Sequence, residues 1–531
     1  MSIYLIISLG VLLLGAAIIA ALAWYRPSFA PLTAAVVVAI ALLNWLLAGQ
    51  NLAFKTGLDI QQDSAGVTVF SWGVDRAGWQ LSFFLLLMIQ AVLVVLLART
   101  DRLAWSPDRP AREKALFPAV LLLGAASLLT IWASSVASVL TTWVVVSLTW
   151  LFALWTMTEA RVSANRLLPR AGALLLGALF LWLATATASA ATVASGFRGP
   201  WSGASAYLLL LAAIAPLGAL PLQWWRPLAW SLPTETAAIV HLAPVVAGGS
   251  LLIRSGWQAS AQEPGLLLVA TLLGLLSVLV GVSIAWMYVA SPSRSLSGLA
   301  LAQAGMVVLA AAWAGSSAAL AATQLLILAI SSLFLAARWS PRRLPWPAIV
   351  PLLALAGFPL TAGVDGVVSV YDAWLGSGRA VLLLIGALLS MFMLAAGILT
   401  VRREVPSDEL VGRSVWVKTR HYLALALPSL GLLMFSNQAM TDIAIVAWIT
   451  VALAIVGGLA LNRFEAQIQD GQLSLRRALH LGFAGRRSMR VLTDAGSALD
   501  SLIREMAAIL EGEGGMLWLL IFLVVIWLAR S

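Results

Sequence analysis

The chain has 531 residues, of which 61% are hydrophobic and 10% charged, and its mean hydropathy is +0.97. A soluble globular chain carries about a quarter charged residues, so there is too little polar surface here for water to be the main solvent. Cysteine is absent, which excludes thiolate metal sites, iron–sulfur ligation and disulfides, and the net charge of +10 is assigned to basic loops on one membrane face rather than to nucleic-acid binding.

Apolar runs of about 18 or more residues recur from end to end, each long enough to cross a hydrocarbon core as a helix. They are continuous rather than alternating, which argues against spanning strands. The first, MSIYLIISLGVLLLGAAIIAALAWY, lacks a basic n-region and a small-residue cleavage site and reads as a retained span. The expected spans are 3–24, 29–49, 79–98, 115–134, 136–157, 168–195, 204–225, 233–254, 265–289, 295–314, 317–337, 346–363, 380–400, 421–436, 442–461 and 515–530. The fold class is therefore all-α, a polytopic membrane protein of about sixteen helices. The histidines His241, His421 and His480 are too scattered along it to suggest a metal centre.

The loops between these spans sort by charge. One alternating set carries Arg26, Arg99 to Lys114, Arg161 to Arg170, Arg226, Arg294, Arg338 to Arg343 and Arg402 to Arg420. The other carries Asp59, Asp63, Asp75, Glu263, Asp365, Asp372 and Asp442. A miscount by one span would scramble this segregation, so the basic loops are expected in the cytoplasm and both termini outside.

From Asn462 to Gly514 the pattern changes to an amphipathic, cationic one. Leu473, Leu475, Leu479, Leu499, Leu502, Ile503 and Met506 recur at helical spacing, with Arg476, Arg477, Arg486, Arg487 and Arg490 between them. Such a segment lies along a membrane surface, either as an interfacial anchor or as a strut bracing neighbouring helices or subunits.

Prolines interrupt three spans: Pro216 and Pro221 in span 7, Pro244 in span 8 and Pro359 in span 12. Each removes a backbone hydrogen bond, which is tolerated at bilayer depth only where protein or water covers the freed group. Simple kinks and the paired broken helices of repeat-built transporters both fit that pattern.

The stretch AIAPLGALPLQWWRPLAWSLPTETAAIVHLAPVVAGGSLLIR resembles the signature of the antiporter-like subunits of respiratory complex I and of Mrp-type cation/proton antiporters. Pro221, Leu222, Trp225, Pro227, Pro233, Thr234, Ala238 and His241 fall in register with it. FSWGVDRAGWQLSFFLLLM resembles the family's entry to span 3. SPSRSLSGLALAQAG matches a second motif at Arg294, Leu296, Gln303 and Gly305, and LALAGFPLTAG a third at Gly357, Pro359 and Gly363. The resemblance implies two inverted five-helix repeats, each with one broken helix, and favours the largest member type, which bears a lateral helix. The organisation expected is N-terminal transmembrane helices over 1–114, repeats over 115–254 and 265–400, C-terminal helices over 421–461, the lateral segment over 462–514 and a final span in 515–531.

The departures from the family matter as much. Its proton path is a row of buried ionisable groups, costly to place in a membrane and kept for transfer. The resemblance puts Val144, after Trp143, where the family has a glutamate, and Pro216, Ser293, Ile330 and Val367 where it has lysines. Ser291 stands for an aspartate. None of these can carry a proton, so the scaffold is expected without its relay. The proton-path candidates that remain are His241, Glu235, Arg294, Gln303 and Asp365.

His241, Glu235 and Asp365 each have a plainer alternative. His241 is either a proton carrier or a buried neutral imidazole bonded to a carbonyl freed by Pro244. Glu235 reads as a helix-start residue stabilised by the dipole, Asp75 and Arg76 as structural, and Asp365 and Asp372 as solvated loop carboxylates or an exit lining. No catalytic residue, cofactor site or metal site is expected.

The resemblance implies a non-catalytic membrane-arm subunit of an NADH:quinone oxidoreductase-like complex, with a degenerate proton path and a scaffold role. The alternatives are an Mrp-type antiporter subunit and the membrane partner of an inorganic-carbon uptake complex. The partners expected are other membrane subunits and lipids, and the place expected is a bacterial cytoplasmic membrane.

Overall fold

A computed structural model describes residues 2–50, 57–62, 68–100, 114–157, 164–189, 201–223, 232–255, 257, 263–337, 346–402, 415–434 and 444–462. The lateral segment beyond residue 462 and the sixteenth span lie outside the described residues.

The apolar runs form helices near the expected places. These are α1 (Ser2–Tyr25), α2 (Ala30–Gln50), α3 (Arg76–Thr100), α4 (Leu116–Trp132), α5 (Val136–Met157), α6 (Ala164–Thr187) and α7 (Ala204–Leu217). The eighth span is two helices, α8 (Thr234–Leu242) and α9 (Val245–Arg254), divided at Pro244. Then come α10 (Pro264–Met287) and α11 (Pro292–Trp313), each with proline in its first turn, where a missing N–H costs nothing.

The eleventh span is α12 (Gly315–Gln324) and α13 (Ile330–Ala336), joined by a π turn over Leu325–Ala329. The twelfth is longer than expected. It runs as α14 (Trp346–Leu355), an unwound stretch, a π turn over Val364–Val368 and α15 (Ser369–Gly376). The described part closes with α16 (Ala380–Arg402), α17 (Val415–Met434) and α18 (Ile445–Leu461).

One element was not expected. β1 (Gly57–Gln62) and β2 (Thr68–Gly73) form an antiparallel hairpin between α2 and α3, with Asp59 opposite Ser71 and Leu58 opposite Trp72. Each strand has six residues, short of the about 9–11 that a spanning strand needs, so the all-α reading of the spans stands. β2 is clipped to the α4–α5 turn: the Ser71 amide donates to the Ser138 hydroxyl at 2.9 Å, and the Ser134 amide to the Ser71 carbonyl at 3.0 Å.

The helices form two shells. α3, α8 with α9, α11, and α12 with α13 are apolar on every side and buried on every side, as a helix surrounded by other helices must be. α1, α2, α10 and α18 bury one face and turn Ile, Leu and Val outward. Nine helices among the described residues are long and apolar enough to cross a membrane, and the protein is an integral membrane protein.

α10 and α11 approach most closely at glycines. A Cβ on Gly281 would lie 2.6 Å from the Gly298 carbonyl oxygen, and one on Gly298 2.6 Å from the Gly281 oxygen. Small residues at such crossings let backbones touch where no hydrophobic force draws helices together.

Contacts between helix ends sort the turns into two groups. Lys114, before α4, lies over the Trp24 ring at the end of α1, and the Ser293 hydroxyl donates to the Leu232 carbonyl. At the opposite ends, Arg254 reaches the start of α3 and the end of α4, Arg379 lies over Trp313, and the Ala444 amide donates to Asp372. This is the alternation on which the sixteen-span count rests.

Candidate functional site

The site is built around the helix breaks. Proline at 244 has no N–H, so the carbonyl four residues back, that of Val240, loses its helical donor. The Trp150 indole of α5 supplies one, 2.9 Å away and fully buried. His241 was one expected donor to the carbonyl freed by Pro244, and in the structure that carbonyl accepts from Trp150. Replacing Trp150 with phenylalanine keeps most of the volume and strands a buried acceptor, which costs about 1–3 kcal/mol. Thermal unfolding in detergent is expected to show that loss for Trp150→Phe, and an unchanged midpoint would mean that another donor serves Val240.

His241 itself is fully buried, its ring stacked on Phe334 of α13 with centroids 5.6 Å apart at 20°. Glu235 sits about 1.7 turns earlier, in the first turn of α8, also buried. That is where the helix dipole favours a carboxylate, in agreement with its reading as a helix-start residue.

A second pair flanks α12. Gln303 of α11 is fully buried and its Nε2 donates to the Ala322 carbonyl at 3.2 Å. The π turn that holds Asp365 presses on the same residue, since a Cβ on Gly366 would lie 2.9 Å from the Ala322 amide nitrogen. Asp365 is 4% exposed. It is therefore a buried group on a helical turn, which corrects its reading as a solvated loop carboxylate. The reason is the extra length of the twelfth span, whose second half carries Asp365 back into the bundle. Asp372, one turn past the π turn, accepts from the Ala444 amide at 3.2 Å.

Arg294 is not part of either pair. It stands exposed at the start of α11 with its guanidinium over the Tyr288 ring, 5.3 Å from the centroid. Among the described residues, no three of His, Cys, Asp and Glu come together as metal ligands would.

The breaks in α7 and after α14 are made the same way. Gly218 and Gly357 both take positive φ, 63° and 86°. In α7 the Gly218 and Ala219 amides turn back to the Ala215 and Ile214 carbonyls. After α14 the Gly357 and Phe358 amides turn back to those of Ala354 and Leu353. These are Schellman caps, which need a residue free to be left-handed and leave the last carbonyls satisfied. Pro221 and Pro359 follow each cap, where they keep the helix from resuming. The Leu220 amide then donates to Ser277 of α10, and the Ala362 amide to the Leu432 carbonyl of α17.

The positions that resemblance assigns to the proton path divide. Pro216, Ile330 and Val367 are buried, Ile330 directly after one π turn and Val367 within the other. Ser293 is partly exposed at the start of α11. Val144 is 41% exposed on the outer side of α5. Its neighbours Trp143, Val146 and Ser147 face inward, so the valine at this position removes no charge from the interior of the isolated chain.

Sequence reasoning missed Arg254. From the end of α9 it forks onto Asp75, with Nη2 3.1 Å from Oδ1 and Nε 3.2 Å from Oδ2. It also donates to the carbonyls of Gly73, Ala133 and Ile131. Asp75 in turn caps α3, accepting from the Gly78 amide at 2.7 Å. The pair is 179 residues apart in sequence, and only the segregation of loop charges could have hinted at it.

Comparison with known proteins follows the same outline. No protein-family model matches the chain. A stretch of 105 residues is 33% identical to the chloroplastic NAD(P)H-quinone oxidoreductase subunit 5 of Nuphar advena, covering 20% of this chain and 14% of that one. The organellar chromatophore counterpart of Paulinella chromatophora is 30% identical over 145 residues, 26% of this chain and 22% of that one. The chain thus matches under a quarter of the length of these relatives.

Among solved structures, the Mrp complex of a Dietzia species aligns with a TM-score of 0.71 at 18% identity, over 99% of this chain and 63% of that one. The membrane-bound sulfane sulfur reductase, an archaeal respiratory membrane complex, aligns at 0.64 and 15% identity, over 98% and 99%. The chain thus shares its polytopic helical fold with chains of these two membrane complexes.

Proposed function

We propose that this chain, with its antiporter-like fold, is a membrane-arm subunit of a complex I-like quinone oxidoreductase or a related ion-translocating complex, in which the proton path has degenerated and a scaffold role remains. The burial of Pro216, Ile330 and Val367 carries the reading. Three interior positions of a transporter scaffold hold side chains that cannot titrate, while both helix breaks keep their caps. A protein under selection for transport would keep the costly charges; one kept for assembly needs only the shape.

An Mrp-type cation/proton antiporter subunit is the second reading, favoured by the alignment of nearly the whole chain with the Mrp complex structure. Membrane partnership in an inorganic-carbon uptake complex belongs to the same alternative. All of these place the chain among other membrane subunits. A tagged chain extracted from its native membrane in mild detergent is expected to migrate on a native gel as an assembly well above its own 56.2 kDa. Migration as the single chain would overturn the scaffold role.

The placement in a bacterial cytoplasmic membrane, with the basic loops inside and both termini outside, belongs to the same proposal and rests on the positive-inside bias. Single cysteines test it, because the chain has none of its own. Ser28, exposed between α1 and α2, lies at the basic ends, and Ser377, exposed after α15, at the acidic ends. Ser28→Cys is expected to react with an impermeant maleimide only after the membrane is opened, and Ser377→Cys in intact cells. Labelling of both from one side would remove the sixteen-span topology.

A further inference from the structure

α1 packs on α4, and α4 on α5, so that a groove of about 470 Å3 opens between α1 and α5 with α4 at its base. Ala16, Ala17 and Ala20 leave the α1 wall without bulk, and Phe152 and Trp155 form the opposite wall. Trp24 and Lys114 close one end, the amine standing 5.1 Å from the centre of the indole. From Leu13 to Trp24 the groove follows α1 for about 16 Å, close to half of a hydrocarbon core of about 30 Å.

We propose that this groove binds one acyl chain of an anionic phospholipid, with the phosphate at Lys114. The length is that of one leaflet, whereas a helix from a neighbouring subunit would run on through the other. The charge fits as well. Arg26 is exposed just past Trp24, beside the mouth that Lys114 occupies. Trp24, Tyr25 and Trp155 are exposed around the same end, as aromatic side chains are at the headgroup level of membrane proteins. Stacking over the indole fixes the ammonium at the mouth of the groove, and an ammonium meets a phosphate as a compact point charge.

The test uses the full chain in mild detergent, offered phosphatidylglycerol or phosphatidylcholine of the same chain length. Native mass spectrometry counts the lipid retained, and unfolding without added lipid checks that each variant folds. The wild type is expected to retain phosphatidylglycerol at least fivefold better than phosphatidylcholine. Lys114→Gln is expected to erase that preference, and Ala17→Trp, which fills the groove, to lower retention of both lipids at least fivefold. If Ala17→Trp does not fold, Ala17→Leu replaces it with the same expected direction. Equal retention of the two lipids by the wild type, or retention untouched by filling the groove, would overturn the proposal. So would cross-linking of Ala17→Cys to another membrane protein in native membranes, which would give the groove a protein occupant.

Discussion

Reconstituted alone in proteoliposomes, the chain is expected to show no proton flux under an imposed potential, and His241→Ala is expected to leave that zero unchanged. A bare proton crossing protein of low dielectric meets a penalty of several kcal/mol even after relaxation. A pathway removes that penalty with closely spaced groups that titrate. The buried groups described here, His241 and Glu235 on α8, Asp365 beside α12 and His421 on α17, sit on three different elements. Ile330 and Val367, at the two π turns, are buried and cannot titrate.

His241→Ala should instead destabilise. It removes a fully buried ring and its stack on Phe334, a loss of about 2–4 kcal/mol by analogy with large-to-small core changes, of which the aromatic pairing is about 0.5–1.5 kcal/mol. A pH-sensitive dye inside the vesicles reads the flux, and thermal unfolding in detergent reads the stability. Robust wild-type flux abolished by the substitution would mean that a histidine and water carry protons here, and the Mrp-type reading would then lead.

The largest stability effect is expected at Arg254. Arg254→Ala leaves Asp75 without its partner and removes the donor from three carbonyls, on the hairpin and at the end of α4. Removing one member of a buried pair costs about 3–5 kcal/mol. Because Arg254 and Asp75 keep side-chain exposures of 13% and 27%, solvent screening brings the expected cost to the lower part of that range.

Arg254→Lys keeps the charge and loses the fork, so it should recover less than half. Asp75→Asn keeps the cap on α3 and should cost less than Arg254→Ala, and the double variant should be less damaging than the sum. Unfolding midpoints of the four proteins check this cycle. A loss under about 1 kcal/mol for Arg254→Ala would show the clamp to be ornamental.

Most of the helical plan was legible because a membrane leaves the chain few choices. An apolar run of twenty residues must close its own hydrogen bonds, so α1 to α5 and α10 to α13 fall where hydropathy puts them, while α6 starts and ends earlier than its expected span. The eighth span divides at Pro244 and the twelfth unwinds around Pro359. The hairpin of β1 and β2 is not legible as a span, because its twelve strand residues are too few to cross a membrane and sit among loop residues. Their alternation, as in GLDIQQ and TVFSWG, was the signal.

The candidate site was less legible. Glu235 could be placed from its position at a helix start, but Asp365 could not, since a π turn has no sequence mark that separates it from an α turn. Val144 was assigned by alignment alone, and alignment carries no account of which way a helix faces. The donor to the Val240 carbonyl is on α5, ninety residues away, where periodicity cannot reach.

The two Schellman caps also bear on what the breaks can admit. In transporters, unwound carbonyls beside a break supply the ligands of a passing cation. Here Ile214, Ala215, Leu353 and Ala354 already accept amides from their own chain. Gly363 then folds back onto the Ala354 carbonyl so closely that there is no room for a Cβ. At these four carbonyls the interruption is stonework fitted without mortar, and an ion arriving there would have to dislodge a backbone amide before it found a ligand.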